Sequence, residues 1–250
     1  MQVEKQGARE ALAPTGQLRA AIAVGSASSA VWATRDAQSG KPRGVTVGIA
    51  EEVAARIGAP LALIEFASSG KIIEAADAGQ WDIGFAPVDA ERKKVVDFGP
   101  NYFLGESTYM VPDGSLIATI EDVDQEGVRV VGVEDTATIR SSRKTLTRTT
   151  AAGVAELDRA LAMFRSGEVD ALALGRESLQ SILSQFPGAR MLDGHFHAAG
   201  VAVAVPKGNV RALDAVSHLL EEMKRDGTLR RIFDTHDMTN AAVAPLGSHS

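Results

Sequence analysis

The chain contains no cysteine, which excludes disulfide frameworks, thiolate metal sites and cysteine nucleophiles. A thiol-free chain suits an oxidising compartment, where a stray thiol is a liability. No apolar run approaches the ~18 residues that a membrane-spanning helix needs. The start, Met1-Gln2-Val3-Glu4-Lys5-Gln6, lacks the apolar stretch of a secretory signal. The expectation therefore divides between a cytoplasmic chain and one whose leader has been removed. Dense basic segments are scarce too, limited to Arg92-Lys93-Lys94 and the stretch from Arg140 to Arg148. With a net charge of −6, this argues against a nucleic-acid partner. No Ser/His/Asp order, phosphate loop or Gly-x-Gly-x-x-Gly stands after an expected strand, so specific enzyme classes gain little support.

What is present is an ordinary globular balance, 45% hydrophobic and 23% charged. The first ten residues are polar and read as loose. Residues 18–24 form a short apolar run, expected as a buried strand. Residues 49–57 have helical spacing and stop at Gly58. A strand is expected at 61–66, a helix at 71–78 ended by Gly79, and a strand at 82–86. The same order then returns: strand 128–133, helix 137–146, a short element near 152–155, helix 159–165 capped by Asp158 and ended by Gly167, and strand 170–174. Strand–helix alternation of this kind predicts parallel α/β structure. Gly79-Gln80-Trp81-Asp82-Ile83 and Gly167-Glu168-Val169-Asp170-Ala171 share a Gly-x-x-Asp step into a strand. This repeat predicts two lobes of similar build, against the alternative of one larger doubly wound sheet. Residues 108–111 and 201–205 read as two crossing strands. The expected lobes are 1–108 with 203–250, and 109–202. Helices are expected at 211–225 and 229–233, with 241–250 as a tail.

Several segments resemble the bacterial extracellular solute-binding proteins of family 3, which serve polar amino-acid ABC transporters. They are Gly16-Gln17-Leu18-Arg19, Gly44 to Ala50 before the Gly58 stop, Trp81-Asp82-Ile83-Gly84, Val205-Pro206-Lys207-Gly208-Asn209, and Met223 to Leu229. The most specific is Ala90-Glu91-Arg92-Lys93-Lys94-Val95-Val96-Asp97-Phe98-Gly99-Pro100-Asn101-Tyr102. The resemblance implies a type II periplasmic binding fold, with two α/β lobes joined by two crossing strands. It also implies a ligand cleft closed by a hinge, delivery to a membrane permease of an ABC transporter, a periplasmic location and a monomeric chain. No cofactor is implied.

The candidate ligand residues follow from chemistry and from that resemblance together. The Arg92 guanidinium is a rigid fork that matches a carboxylate bidentately, and in the family the arginine of this stretch grips the ligand carboxylate. The bland reading is a surface arginine in a basic run. Asp135-Thr136-Ala137-Thr138 opens a helix whose unpaired N–H groups attract an anion; Asp135 or Thr136 can equally be a plain cap. Phe85-Ala86-Pro87 follow the third strand, where the family supplies hydroxyls that are missing here. Ser26, Ser68 and Ser69 sit in loops near strand ends and are weighed as ligand contacts or as turn and cap residues. Trp32 lines the cleft or belongs to the core. Family members that bind amino acids carry an aspartate where Gly175 stands, followed here by Arg176 and Glu177. An ammonium buried without a partner is costly, so an amine-free acid competes with an amino acid as ligand. Glu177 replaces the missing acid if the turn differs by two residues; otherwise Arg176 adds positive potential. The enzymatic alternative is a cyclohexadienyl-dehydratase-like protein with Glu177 as general acid and Asp89 behind it. His195 and His197 lie two apart, facing one side of an expected strand, but with no third ligand nearby no metal site is expected.

Overall fold

The structure, a computed structural model, describes residues 2–24, 30–239 and 241–250. Ser26 lies outside them. The chain opens with α1 (Gln2–Leu12), where a loose start was expected. Leu12 is fully buried and anchors it to the core. Next come β1 (Leu18–Ala23), the short strands β2 (Thr34–Arg35) and β3 (Pro42–Arg43), and α2 (Val45–Ile57). Helix α2 begins four residues before the expected start, because Val45 and Val47 extend its buried face to Ile49, Val53 and Ile57. It ends where Gly58 turns left-handed at φ 68°, a conformation that costs other residues a steric penalty.

Then follow β4 (Leu61–Phe66), α3 (Ser69–Glu74) and β5 (Ile83–Pro87). Helix α3 stops sooner than expected, and Ala76–Ala78 form a separate 3₁₀ turn. Strand β6 (Val96–Val111) is far longer than the four residues expected of it. After it come β7 (Val130–Val133), α4 (Ala137–Thr145), β8 (Ala151–Val154) and α5 (Leu157–Ser166). Glu156, not Asp158, occupies the cap position of α5, and Asp158 lies in its first turn. The chain continues through β9 (Ala171–Gly175), α6 (Arg176–Ile182), β10 (Arg190–Met191) and β11 (His197–Pro206). It finishes with α7 (Val210–Arg225) and α8 (Thr228–Thr235).

The chain divides into two compact units, Met1–Leu104 with Ala199–Ser250, and Gly105–Ala198. Strands β6 and β11 carry the chain from one to the other. In the first unit the strand order is β4-β1-β5-β11, the first three parallel and β11 antiparallel to β5. In the second it is β8-β7-β9-β6, again three parallel strands and an antiparallel one. Each unit thus places its first strand in the middle, its second outside, its third inside, and then a strand shared with the connection.

The Gly-x-x-Asp repeat has the same bonds in both units. Gly79 and Gly167 both turn left-handed at a helix end. Asp82 accepts hydrogen bonds from the amide of Arg19 at 2.9 Å, its Nε at 3.0 Å and its Nη2 at 2.7 Å. Asp170 accepts the same three from Arg129 at 2.9, 3.0 and 2.7 Å. Each arginine also donates to the glycine carbonyl, Gly79 at 2.6 Å and Gly167 at 2.9 Å. Each clasp ties the first parallel strand to the third. The expected tail is anchored in the first unit: the Asn101 and Leu104 amides donate to Ser248 and Ala242, and the Ala244 amide donates to Tyr102.

Candidate functional site

In the first unit Arg92 sits after the carboxyl end of β5, in a 3₁₀ turn spanning Arg92–Lys94. Asp89 organises this turn. Its Oδ1 accepts the Arg92 amide at 2.9 Å, and its Oδ2 lies 3.5 Å from Arg92 Nε. The guanidinium donates through Nη1 to the Pro87 carbonyl at 3.0 Å and through Nη2 to Ser69 Oγ at a long 3.4 Å. The side chain is only 11% exposed, so it is not the solvated surface arginine of the bland reading. The geometry is a fork held from behind by backbone and carboxylate.

Around it, Ser68 caps α3, its Oγ accepting the Lys71 amide at 3.3 Å. Ser69 meets Arg92 directly, and Pro87 contributes its carbonyl. Phe85 lies elsewhere: it is fully buried, edge-on to Tyr102 with ring centroids 5.8 Å apart. Ala86 is buried in a neighbouring cluster with Trp81. Trp32 is half-buried against the core, and its carbonyl accepts the Thr46 hydroxyl at 2.9 Å.

In the second unit Thr136 caps α4. Its Oγ1 accepts the Ile139 amide at 3.2 Å and donates to the Val133 carbonyl at 2.8 Å. The amides of Ala137 and Thr138, first and second in the helix, have no carbonyl one turn back to bond. Asp135 before the cap holds a left-handed φ of 60°, and its carbonyl accepts from Arg140 at 3.3 Å. Thr138 Oγ1 and Ser107 Oγ are 2.9 Å apart. Ser107 is paired in register with Gly175 across β6 and β9.

Arg176 does not leave an open positive charge beside Gly175. Its Nε donates to Glu106 Oε2 at 2.9 Å and its Nη2 to the Gly194 carbonyl. The other Glu106 oxygen lies 3.4 Å from His195 Nδ1. Burial pushes the Glu177 carboxyl up, and nearby Glu106 adds to this, while its own amide and Arg176 oppose it. Burial pushes His197 down, helped by His195, Arg140 and Lys144. Among the described residues no three metal-ligating side chains converge. Phe196, between the two histidines, packs on Tyr109 with centroids 4.3 Å apart.

Each unit therefore gathers its own cluster: Arg92, Asp89, Ser69 and Pro87 in one; Thr136 to Thr138, Ser107 and Gly175 in the other, with Arg176, Glu106 and Glu177 beside it. Sequence reasoning missed Ser107 and Glu106. Glu106 meets Arg176 through the β6–β9 register, and Ser107 meets Thr138 of α4 across the fold; no local pattern marks either.

The family model for bacterial extracellular solute-binding proteins, family 3, matches residues 22–238. The chain is similar to the ABC transporter glutamine-binding protein GlnH of Bacillus subtilis (strain 168). The two are 23% identical over 207 residues, 81% of this chain and 76% of that one. Among solved structures, an ancestral arginine-binding protein bound to arginine is 26% identical with a TM-score of 0.74, covering 88% of this chain and 97% of that one. The ancestral amino acid-binding protein AncCDT-1, a precursor of cyclohexadienyl dehydratase, superposes with a TM-score of 0.75 at 22% identity, covering 89% and 95%; at that identity it speaks for the fold alone. The fold is that of the type II periplasmic amino-acid-binding proteins. With that match over most of its length, the chain belongs to the family 3 bacterial extracellular solute-binding proteins.

Proposed function

We propose that this protein is the solute-receiving component of an ABC transporter, works outside the cytoplasmic membrane, and captures a small solute by its carboxylate. The observation that carries this reading is Arg92: a largely buried guanidinium, pre-aimed by Asp89 and Pro87, with a long contact to Ser69 that a carboxylate can replace. Arg92 grips the carboxylate from one unit. The first amides of α4, at Ala137 and Thr138, stabilise the same charge from the other. Because the ligand draws contacts from both units, binding favours the conformation in which both reach it. The closed complex is then handed to a membrane permease.

A thermal-shift screen against small carboxylates, with and without amines, tests the reading, since a ligand that binds only the folded protein raises its apparent stability. Arg92→Ala should abolish the shift while leaving the unliganded melting temperature within a few degrees. Undiminished binding by that variant would refute the assignment.

One observation favours a second reading. Burial pushes the Glu177 carboxyl up from its ordinary value, the direction that suits a general acid. Incubation with prephenate or arogenate decides: an aromatic product that disappears in Glu177→Gln would establish a dehydratase, and no product leaves the transport reading alone.

A further inference from the structure

We infer that the second unit reads a neutral oxygen next to the ligand carboxylate, which makes the solute a 2-hydroxy or 2-oxo acid rather than a 2-amino acid. This rests on the carboxylate reading above and specifies the group beside that carboxylate.

The first support is the hydroxyl pair. Ser107 Oγ and Thr138 Oγ1 share one hydrogen bond of 2.9 Å, and Ser107 is only 5% exposed. Thr138 is the second residue of α4, so the pair stands at the helix start assigned to the carboxylate. A bonded pair of hydroxyls still offers one proton and further lone pairs. It can therefore donate to a keto oxygen or exchange hydrogen bonds with an alcohol.

The second support is room. Gly175 faces Ser107 in register. Its backbone, at φ −62° and ψ 142°, suits any residue. Among the described residues, a Cβ built there would meet nothing nearer than the Glu106 carbonyl at 3.9 Å and Ser178 Oγ at 4.0 Å. The place beside the hydroxyl pair is thus left unfilled without any backbone or packing reason for glycine.

The third is the position of the acids. Side chains alternate across a strand. On β6, Ser107 and Tyr109 face α4, with Tyr109 Oη 2.9 Å from Ser142 Oγ. Glu106 projects to the opposite face, where Arg176 and His195 occupy it. Burial, with Glu106 nearby, pushes the Glu177 carboxyl up from its ordinary value. Among the described residues, no carboxylate is hydrogen-bonded to Ser107 or Thr138, so an ammonium placed beside them meets hydroxyl dipoles, whereas a neutral oxygen can exchange hydrogen bonds with both.

Calorimetric titration of the full chain with matched triplets tests this: pyruvate, L-lactate and L-alanine; 2-oxoglutarate, 2-hydroxyglutarate and L-glutamate; 4-methyl-2-oxopentanoate, 2-hydroxy-4-methylpentanoate and L-leucine. The oxo or hydroxy member of at least one triplet should bind more than tenfold tighter than the amino member. Ser107→Ala should weaken it by roughly tenfold, the scale of one lost hydrogen bond. Gly175→Asp should invert the order. If the amino acid binds as tightly as its counterparts and Arg92→Ala abolishes that binding, this inference falls while the carboxylate reading stands. If Glu177→Gln removes amino-acid binding, the inference likewise falls, with Glu177 as the ammonium partner. If no triplet binds, or Arg92→Ala changes nothing, both fall.

Discussion

The two Arg–Asp clasps allow one variable to be isolated. Asp82 and Asp170 receive the same three N–H groups at nearly identical distances. They differ in burial. Asp82 is 7% exposed and Arg19 21%, whereas Asp170 is 36% and Arg129 54%. Removing one partner of a buried pair leaves an uncompensated charge and costs about 3–5 kcal/mol. Arg19 can regain some water, so Asp82→Ala should fall near the lower end, about 3 kcal/mol. A solvated pair is worth about 1 kcal/mol or less, and Asp170→Ala should cost about that much. Both tryptophans, Trp32 and Trp81, lie in the first unit. Their fluorescence therefore follows that unit in urea, while circular dichroism follows both. Asp82→Ala should shift the fluorescence midpoint strongly. Asp170→Ala should leave it nearly in place and shift only the dichroism by a small amount. Equal costs for the two substitutions would refute the argument that burial, not bond geometry, sets the worth of the clasp.

Other substitutions test separate features. Among the described residues the buried Tyr102 hydroxyl has no hydrogen-bond partner, so Tyr102→Phe should raise stability by about 1 kcal/mol in denaturant titration. Gly132→Ala would place a Cβ 2.8 Å from Ile139 Cδ1 and 3.1 Å from the Ala173 carbonyl; overpacking of this kind should cost about 1–3 kcal/mol in the same assay. Glu177 has a raised pKa when folded. Its contribution to stability is therefore fully present below its unfolded pKa and is lost as pH rises through the folded one. Glu177→Gln should accordingly melt higher than wild type at pH 8 and lose that advantage at pH 4. Asp170 has the opposite sign: held low by Arg129, it contributes above its unfolded pKa and loses that contribution as pH falls through the folded value. The gap between wild type and Asp170→Ala should close in acid.

The parallel strands and their glycine stops were legible because apolar runs and left-handed turns are local signals. Gly58, Gly79 and Gly167 all end helical elements as expected. Helix α1 escaped because Glu4, Lys5, Gln6, Arg9 and Glu10 are good helix formers with little apolar periodicity; Leu12 supplies the anchor. Strand β6 runs through Gly99, Pro100 and Gly105, residues that usually punctuate a sequence, while the expected strand covers only 108–111. The site was legible only in its local parts. Arg92 and the cap at Thr136 carry sequence signals. The Arg176 partner, Glu106, is 70 positions away, and Ser107 is 31 positions from Thr138. Propensity holds no information about contacts at that range.

The chain route through the units has a consequence during synthesis. Residues 105–198 form a continuous stretch, so the second unit is complete before the ribosome has made the rest of β11, α7 or α8. The first unit must wait with β5 lacking the neighbour that Val201 to Ala204 will provide. In that interval its sheet carries an open edge of unpaired amides and carbonyls, the kind that recruits foreign strands. A nascent chain of this order therefore has one half folded and one half in need of shelter.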